Sequence, residues 1–335
     1  MIELSIILVN WNCLAYTEQC LASIRDTAGE LDYEVIVVDN DSADAPCQGL
    51  VESHPWIRLI LSKRNIGFGR ANNLGVQYSR GRMLLFLNPD TIVLGDAIQR
   101  MLSALDAVHN GGAIGCRLLN PDGSLQMTSV QPFPTIANQL LALNWIQQRW
   151  PALPLWGKSA LYTIEPKIVQ DVDFVSGAAI LVKRDVFEQV GGFNPAYFMF
   201  AEEADLCFAI HQAGFRVLHT GEARILHFGG QSTKNREDNF AAVMMRDSVY
   251  RFLCRNRGNM YGGMYRIALI ASGLSRLIVL IGVLPFAACF DYPITRQDVL
   301  RPLRKWLRIV QWAAGWDIKG SLDKSPEAST APAEN

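Results

Sequence analysis

No two cysteines stand at C-x-x-C spacing: the seven, Cys13, Cys20, Cys47, Cys116, Cys207, Cys254 and Cys289, are odd in number and widely scattered. That distribution argues against a disulfide framework and a zinc site, and fits a reducing compartment. The first apolar run lacks a basic segment before it and a small-residue cleavage site after it, so no secretory signal is expected. No G-x-G-x-x-G follows that run, and the turn after Val9 has no glycine at all, which disfavours a dinucleotide-binding Rossmann enzyme. Aromatic and basic residues are not interleaved and no groove-reading motif occurs, so nucleic acid is not an expected partner.

What is present is a long apolar chain. Its 335 residues are 50% hydrophobic, enough to bury a sizeable core in one large α/β domain or two smaller ones. The formal net charge of -1 hides an asymmetry: residues 1–245 carry 18 Lys and Arg against 25 Asp and Glu, whereas residues 246–324 carry 13 against 5. A C-terminal third that is both basic and apolar suits an anionic membrane surface.

The chain is organised around residues 81–90, GRMLLFLNPD. Five apolar residues between a glycine and a proline turn predict a parallel strand buried on both faces, ending where Pro89 cannot donate to the ladder. A carboxylate at the carboxyl end of such a strand faces the crevice of an open α/β sheet, which makes Asp90 a candidate ligand for a divalent cation. The other reading is that Asn88 and Asp90 cap the next helix. Upstream, residues 4–9 (LSIILV) and 34–38 (EVIVV) predict strands joined by a helix over 16–28. Such a βαβ unit is right-handed and parallel, so its exits, Asn10-Trp11-Asn12 and Asp39-Asn40-Asp41-Ser42, open on one edge. A third strand at 57–61 leads to Gly67 and Gly69, where backbone can approach an anion at the start of a helix over 70–80.

Six segments stand in order over residues 4–233: VIVVDNDS at 35–42, N-x-GFG-x-A-N-N-x-G at 65–75, LLFLNPD at 84–90, FVSGAAILVKRDVFEQVGGFN at 174–194, FMFAEEADLCFAIHQAGF at 198–215 and ARILHFGGQST at 223–233. Together they resemble family 2 glycosyltransferases of the GT-A fold, and among these the rhamnosyltransferase-like members, which carry N-P-D where others have D-x-D. The resemblance implies an α/β domain with a mostly parallel central sheet and a helical C-terminal extension. It implies that Asp39 accepts from the N–H of a uracil or thymine ring, with Asn10 and Asn40 nearby, and that Asn65, Gly67, Asn88 and Gly177 belong to the nucleotide-sugar site. It also implies that Asp90 and His227 hold Mg²⁺ or Mn²⁺, a hard cation that leaves ligand positions for a diphosphate and neutralises its charge on departure. An inverting transfer needs one carboxylate base. Relatives usually read Glu-Asp at that place; here it is Glu202-Glu203, so Glu203 takes the role on a longer arm and Glu202 stays an alternative. Asp205 is read as capping or orienting the helix that begins there. Trp145, Trp150 and Trp156 either stack on sugar faces or pack.

Residues 1–235 are thus expected to form the GT-A domain, 236–320 a helical, basic extension and 321–335 a tail of disordered composition. Within the extension, residues 267–290 are almost wholly apolar but interrupted by Arg276. A charge near the middle is costly to a transmembrane span, so a helical hairpin or shallow insertion is expected, with Arg296, Arg301, Arg304, Lys305 and Arg308 at lipid headgroups; the other reading is a buried helical subdomain. The implied activity is transfer of a sugar, rhamnose from dTDP-rhamnose, to a glycan or polyprenyl-linked acceptor for cell-surface polysaccharide, in the cytoplasm at the inner membrane face, peripheral or monotopic. Other readings are a transferase using UDP-galactose or UDP-glucose, and a nucleotide-binding module without catalysis. A processive membrane polymerase would carry Q-x-x-R-W and several long spans after the catalytic half; Gln147-Gln148-Arg149-Trp150 comes too early and lacks the spacing.

Overall fold

Short apolar runs set the frame. In the computed structural model, which describes residues 2–43, 47–141, 149–150, 153, 169–230, 240–283 and 296–316, the first such run is β1 (Leu4–Asn10), buried at every position. It is followed by α1 (Leu14–Thr27), β2 (Tyr33–Asp39), the short α2 (Gly49–Ser53), β3 (Ile57–Leu61), α3 (Phe68–Gln77) and β4 (Met83–Leu87). β4 is likewise buried throughout, as a strand covered on both faces must be. β1 pairs in parallel with β2 and with β4, and β2 in parallel with β3. Gly75 brings α3 hard against this sheet: a Cβ there would lie 2.6 Å from Ile7 Cγ2.

Beyond β4 come β5 (Thr91–Leu94), α4 (Ala97–Asp106), β6 (Gly111–Leu119), β7 (Val130–Gln131), α5 (Ile136–Leu141), β8 (Val169–Asp171), β9 (Phe174–Val175), β10 (Ala179–Lys183), α6 (Arg184–Gln189), α7 (Glu202–Gln212) and β11 (Arg216–His227). The main sheet runs β3-β2-β1-β4-β10-β6-β11-β5, with β8 on β11; β7 and β9 form a separate ribbon. β10 is antiparallel to both its neighbours, so the sheet is parallel in its first half and mixed in its second. β11 runs parallel to β6, which restores the strand direction of β4 at the far side. The carboxyl ends of β1, β2, β4 and β11 therefore share one edge, and the amino end of β10 joins them there.

The described residues fall into two compact units, one within Met1–Phe133 and Leu143–Lys234, the other within Pro134–Ala142 and Asn235–Asn335. The second comprises α5, α8 (Phe240–Arg257), α9 (Asn259–Val283) and α10 (Arg296–Ala313). Its helices meet through small residues: a Cβ on Gly262 would strike Cys254 of α8, and one on Gly273 would strike Val310 of α10. The expected tail at 321–335 and the apolar residues 284–290 lie outside the described residues, as do Trp145, Trp156 and Cys289. No disulfide joins the six described cysteines. Burial pushes Cys20, Cys116 and Cys207 up to about 12, which makes them poor nucleophiles at neutral pH.

Candidate active site

At the exits of β1 and β2 the side chains are tied to one another. Asn10 and Asp39 sit side by side at the ends of their strands, and Asn10 Nδ2 donates to Asp39 Oδ1 at 3.0 Å. The Cys47 thiol donates to the same oxygen at 3.1 Å. Thr17 and Cys13 both donate to Asn10 Oδ1, which fixes the amide with its nitrogen toward Asp39. Among the described residues Asp39 Oδ2 receives one long bond, 3.4 Å, from the Ser42 N–H, which makes it the oxygen available to a ligand. Asn40 uses its amide differently: Nδ2 donates to Asn65 Oδ1 at 2.9 Å while Oδ1 accepts from the Ile66 N–H. Asn65 Oδ1 also accepts from the Gly67 N–H. Asn10 and Asn40 are almost fully buried, so they shape the two strand exits rather than present an unoccupied amide.

Across β4 the chain turns at Asn88-Pro89-Asp90 and enters β5. The helix-cap reading of Asp90 fails on this point: the next element is a strand, and the next helix, α4, starts at Ala97 behind Asp96. Asp90 is buried, and its Oδ1 lies 3.3 Å from His227 Nε2 at the end of β11. Asn88 Nδ2 stands 3.4 Å from the same nitrogen. The Phe228 N–H donates to the Asp90 carbonyl, which holds the end of β11 to this turn. A carboxylate and an imidazole nitrogen so close, in a buried turn, are a donor set for a cation that prefers oxygen and nitrogen. Among the described residues no three His, Cys, Asp or Glu cluster around a common point, so a metal held here would complete its shell from substrate or water.

The third group is carried by a loop under backbone tension. Phe200 and Ala201 both adopt left-handed φ, 69° and 60°, just before α7 begins at Glu202. Such conformations persist in non-glycine residues only where the surroundings over-determine them. Here Asp205 does so from within the helix: it is buried, accepting from Tyr197 Oη and from Asn194 Nδ2, both at 3.1 Å. Gly67 completes the seat. Its φ is +86° and a Cβ would collide with the Phe198 carbonyl, which accepts from the Phe68 N–H.

The two glutamates then diverge. Glu202 is buried against Gly69, its Oε2 has no hydrogen-bond partner among the described residues, and burial followed by the repulsion of Glu203 drives its pKa well above the ordinary carboxylate value. That favours its protonated form. Glu203 remains partly exposed and lies against Gly177, where a Cβ would sit 3.5 Å from that of Glu203; desolvation pushes its carboxyl up to about 7. Two neighbouring carboxyls whose environments separate their protonation are how a site obtains one neutral group and one base.

Strand order puts the Asp39 group on the same edge as the other two, which contacts link to each other. Gly177, against Glu203, is followed by Ala178, whose carbonyl accepts from the Asn88 N–H; the Asn88 side chain reaches His227, which lies against Asp90. Cys47, Thr17, Tyr197 and Gln126 were not legible as parts of this region. Each acts by hydrogen bonding to a more conspicuous neighbour, and nothing in its sequence spacing announces that. Trp150 is half exposed, with the Arg149 guanidinium 5.6 Å over its ring.

The family model for glycosyl transferase family 2 matches residues 5–191. The chain is 29% identical over 262 residues to the N-acetylglucosaminyl-diphospho-decaprenol L-rhamnosyltransferase of Mycobacterium tuberculosis, covering 75% of this chain and 83% of the relative. It is 25% identical over 264 residues to the rhamnosyltransferase WbbL of Escherichia coli, covering 75% and 93%. Among solved structures, a mannosyltransferase from Pyrobaculum calidifontis in complex with GDP-Man and Mn²⁺ superposes with a TM-score of 0.55 at 15% identity, over 94% of this chain and 88% of that one. The architecture is that of the GT-A fold. The matched span includes Asp39 and Asp90 and stops short of Glu203 and His227, which are placed by the contacts described above.

Proposed function

The chain belongs to glycosyl transferase family 2, in its rhamnosyltransferase-like subgroup, and from that premise we propose that it inverts an anomeric centre while moving rhamnose from dTDP-rhamnose to a polyprenyl-linked glycan. The observation that carries the reading is the meeting, at one edge of the sheet, of a buried reading carboxylate, a carboxylate–imidazole pair and a carboxyl poised near neutrality. Asp39 Oδ2 accepts from the imide N–H that thymine and uracil share. Asp90 and His227 hold a divalent cation, Mg²⁺ or Mn²⁺, which when bound offsets the charge of the departing diphosphate. Glu203, ionised, takes the proton of the acceptor hydroxyl as it attacks opposite the leaving group. Glu202, neutral beside it, leaves that charge unopposed, and Gly177 keeps the face of Glu203 clear for substrate.

The donor is supported by the relatives: two are named rhamnosyltransferases, and one of them by a diphospho-decaprenol substrate. The divalent cation is supported by the solved mannosyltransferase, which holds Mn²⁺. The test is a screen of purified protein against dTDP-rhamnose, UDP-galactose, UDP-glucose and GDP-mannose, each with Mn²⁺, with Mg²⁺ and with chelator. Turnover of dTDP-rhamnose at least tenfold above the others, lost in chelator, is expected. Preference for a UDP donor would replace rhamnose by galactose or glucose. Nucleotide binding with no metal-dependent hydrolysis or transfer of any donor would leave a binding module and overturn the reading.

A lipid-linked acceptor requires a membrane surface, and we assign that contact to the helical unit. On α9, Met260, Met264, Ile267, Leu274, Ile278 and Ile281 recur at helical spacing and all are exposed, Met260 at 82% and Ile278 at 71%. Both charges on the helix turn away from this stripe: Arg266 donates to the carbonyls of Trp312 and Ala313, and the Arg276 guanidinium stacks 4.3 Å above the Trp306 ring. Arg276 is thus no obstacle to an apolar surface. The opposite face of α9 packs on α8 and α10, which supports a helix lying in the interface over a lone span. Arg301, Arg304, Lys305 and Arg308 are exposed on α10 and add attraction for anionic headgroups. The protein is expected to float with vesicles of phosphatidylglycerol and phosphatidylethanolamine, and the pair Ile267→Glu, Ile278→Glu to remain in solution. Equal flotation of the pair would remove α9 from the contact.

A further inference from the structure

One residue outside the expected site controls the imidazole. Gln126 lies in the segment between β6 and β7, and its Oε1 stands 2.7 Å from His227 Nδ1. The orientation of its amide is decided by what surrounds the nitrogen. Nε2 faces the carbonyl oxygen of His227 at 3.4 Å, a backbone acceptor that cannot exchange roles, and Asn120 Oδ1 at 3.2 Å. Asn120 is held the same way round, since its own Nδ2 faces the Leu125 carbonyl and the Ser124 hydroxyl. With the Gln126 nitrogen assigned, its oxygen is the atom against Nδ1, so Nδ1 must carry the hydrogen and donate. In the neutral ring the lone pair then resides on Nε2, the atom that faces Asp90 Oδ1 at 3.3 Å and Asn88 Nδ2 at 3.4 Å.

The backbone of Gln126 is itself fixed. Its N–H donates to the Leu118 carbonyl in β6 and its carbonyl accepts from the Ser129 N–H and hydroxyl. That bond ties the segment to Ser129, whose own carbonyl accepts from the N–H of Ser176, one residue before Gly177. Gln126 is therefore a rigid acceptor rather than a surface side chain that happens to be near.

We propose that Gln126 is a positioning residue, which sets the tautomer and ring orientation of His227 so that Nε2 presents its lone pair beside the Asp90 carboxylate. The inference rests on the reading of Asp90 and His227 as holders of a divalent cation. A histidine ligand whose second nitrogen donates to a fixed acceptor is pre-oriented and more basic, and loss of such a partner costs about 10–100-fold in metal affinity.

The test uses the full chain, Mn²⁺ alone as probe, and two readouts. Electron paramagnetic resonance of free Mn²⁺ gives the affinity; nitrogen-15 NMR of histidine-labelled protein at high pH gives the tautomer, and only five histidines need assignment. In the parent protein His227 should be the Nδ1–H form. Gln126→Leu should shift it toward the Nε2–H form and weaken Mn²⁺ by about 10–100-fold. Gln126→Glu, which keeps an acceptor at the same place, should restore the tautomer and most of the affinity. A parent His227 in the Nε2–H form, or a Gln126→Leu affinity within about threefold of the parent, would overturn the inference. Asp90→Asn separates the two levels: if it weakens Mn²⁺ while Gln126→Leu does not, only the role of Gln126 falls, whereas undiminished affinity in Asp90→Asn brings down the metal reading beneath it.

Discussion

Glu203→Gln is expected to lower kcat by about 10²–10⁴-fold, the usual contribution of a positioned general base, with the KM for donor nearly unchanged. The amide keeps the shape of the side chain against Gly177 and removes only its capacity to take a proton. In the parent protein the rate should rise with pH and level above about 7, because desolvation has moved the Glu203 carboxyl there from near 4.5. In Glu203→Gln that limb should vanish. Glu202→Gln is the counterpart. Since burial and the neighbouring Glu203 favour the protonated form of Glu202, the amide mimics that form, and both the rate and the limb should survive. The reverse pattern, a dead Glu202→Gln and an active Glu203→Gln, would exchange the two roles.

The same shift has a stability consequence whose sign can be worked out. A carboxyl that holds its proton more tightly when folded stabilises the native state at acid pH. That contribution is fully present below about 4.5 and is lost as pH rises through about 7. Replacing Glu203 by the uncharged amide removes the loss. Thermal denaturation should therefore show Glu203→Gln gaining on the parent protein at pH 8 relative to pH 5. A gap of equal size at both would mean that the carboxyl is not desolvated by the fold. Together with the left-handed Phe200 and Ala201, this is a site in which the native state carries cost at the groups proposed to do chemistry.

How far the sequence discloses this arrangement depends on what each residue answers to. β1, β2, β3 and β4 were legible within a residue or two because buried parallel strands are continuous apolar runs, and the βαβ handedness then puts Asn10, Asp39 and Asn88 on one edge. The second half was less so. β10 inserts antiparallel between β4 and β6, a choice made by long-range pairing that leaves no mark on the local pattern of AILVK. The turn at Asp90 was ambiguous because Asn and Asp serve strand exits and helix caps alike; only the pairing of Thr91–Leu94 with β11 decides it. Asn10 illustrates a different limit. Its place at a strand exit was readable, but Thr17, Cys13 and Cys47, which immobilise its amide beside Asp39, come from a helix and a loop whose approach no period announces.

Asp90→Asn is the second large effect. It keeps the size of the side chain and the Phe228 N–H bond to its carbonyl, so the fold of the turn should hold. What it loses is the negative charge facing His227 Nε2 at 3.3 Å, and an amide nitrogen turned that way would put a donor where a cation should sit. Charge stabilisation of several kcal/mol at the departing diphosphate corresponds to a kcat/KM about 10²–10³-fold lower. Donor binding through Asp39 should be far less affected, because the Asn10–Asp39–Cys47 bonds at the β1 and β2 exits do not involve Asp90. The expected signature is thus split: dTDP or UDP still binds in chelator, with an affinity like that of the parent protein in chelator, while turnover does not recover at any Mn²⁺ concentration. If Asp90→Asn retains more than about a tenth of parental turnover, a loss below about 1.4 kcal/mol, the charge at the diphosphate is met by some other group and the carboxylate–imidazole pair is a strap joining β11 to the turn.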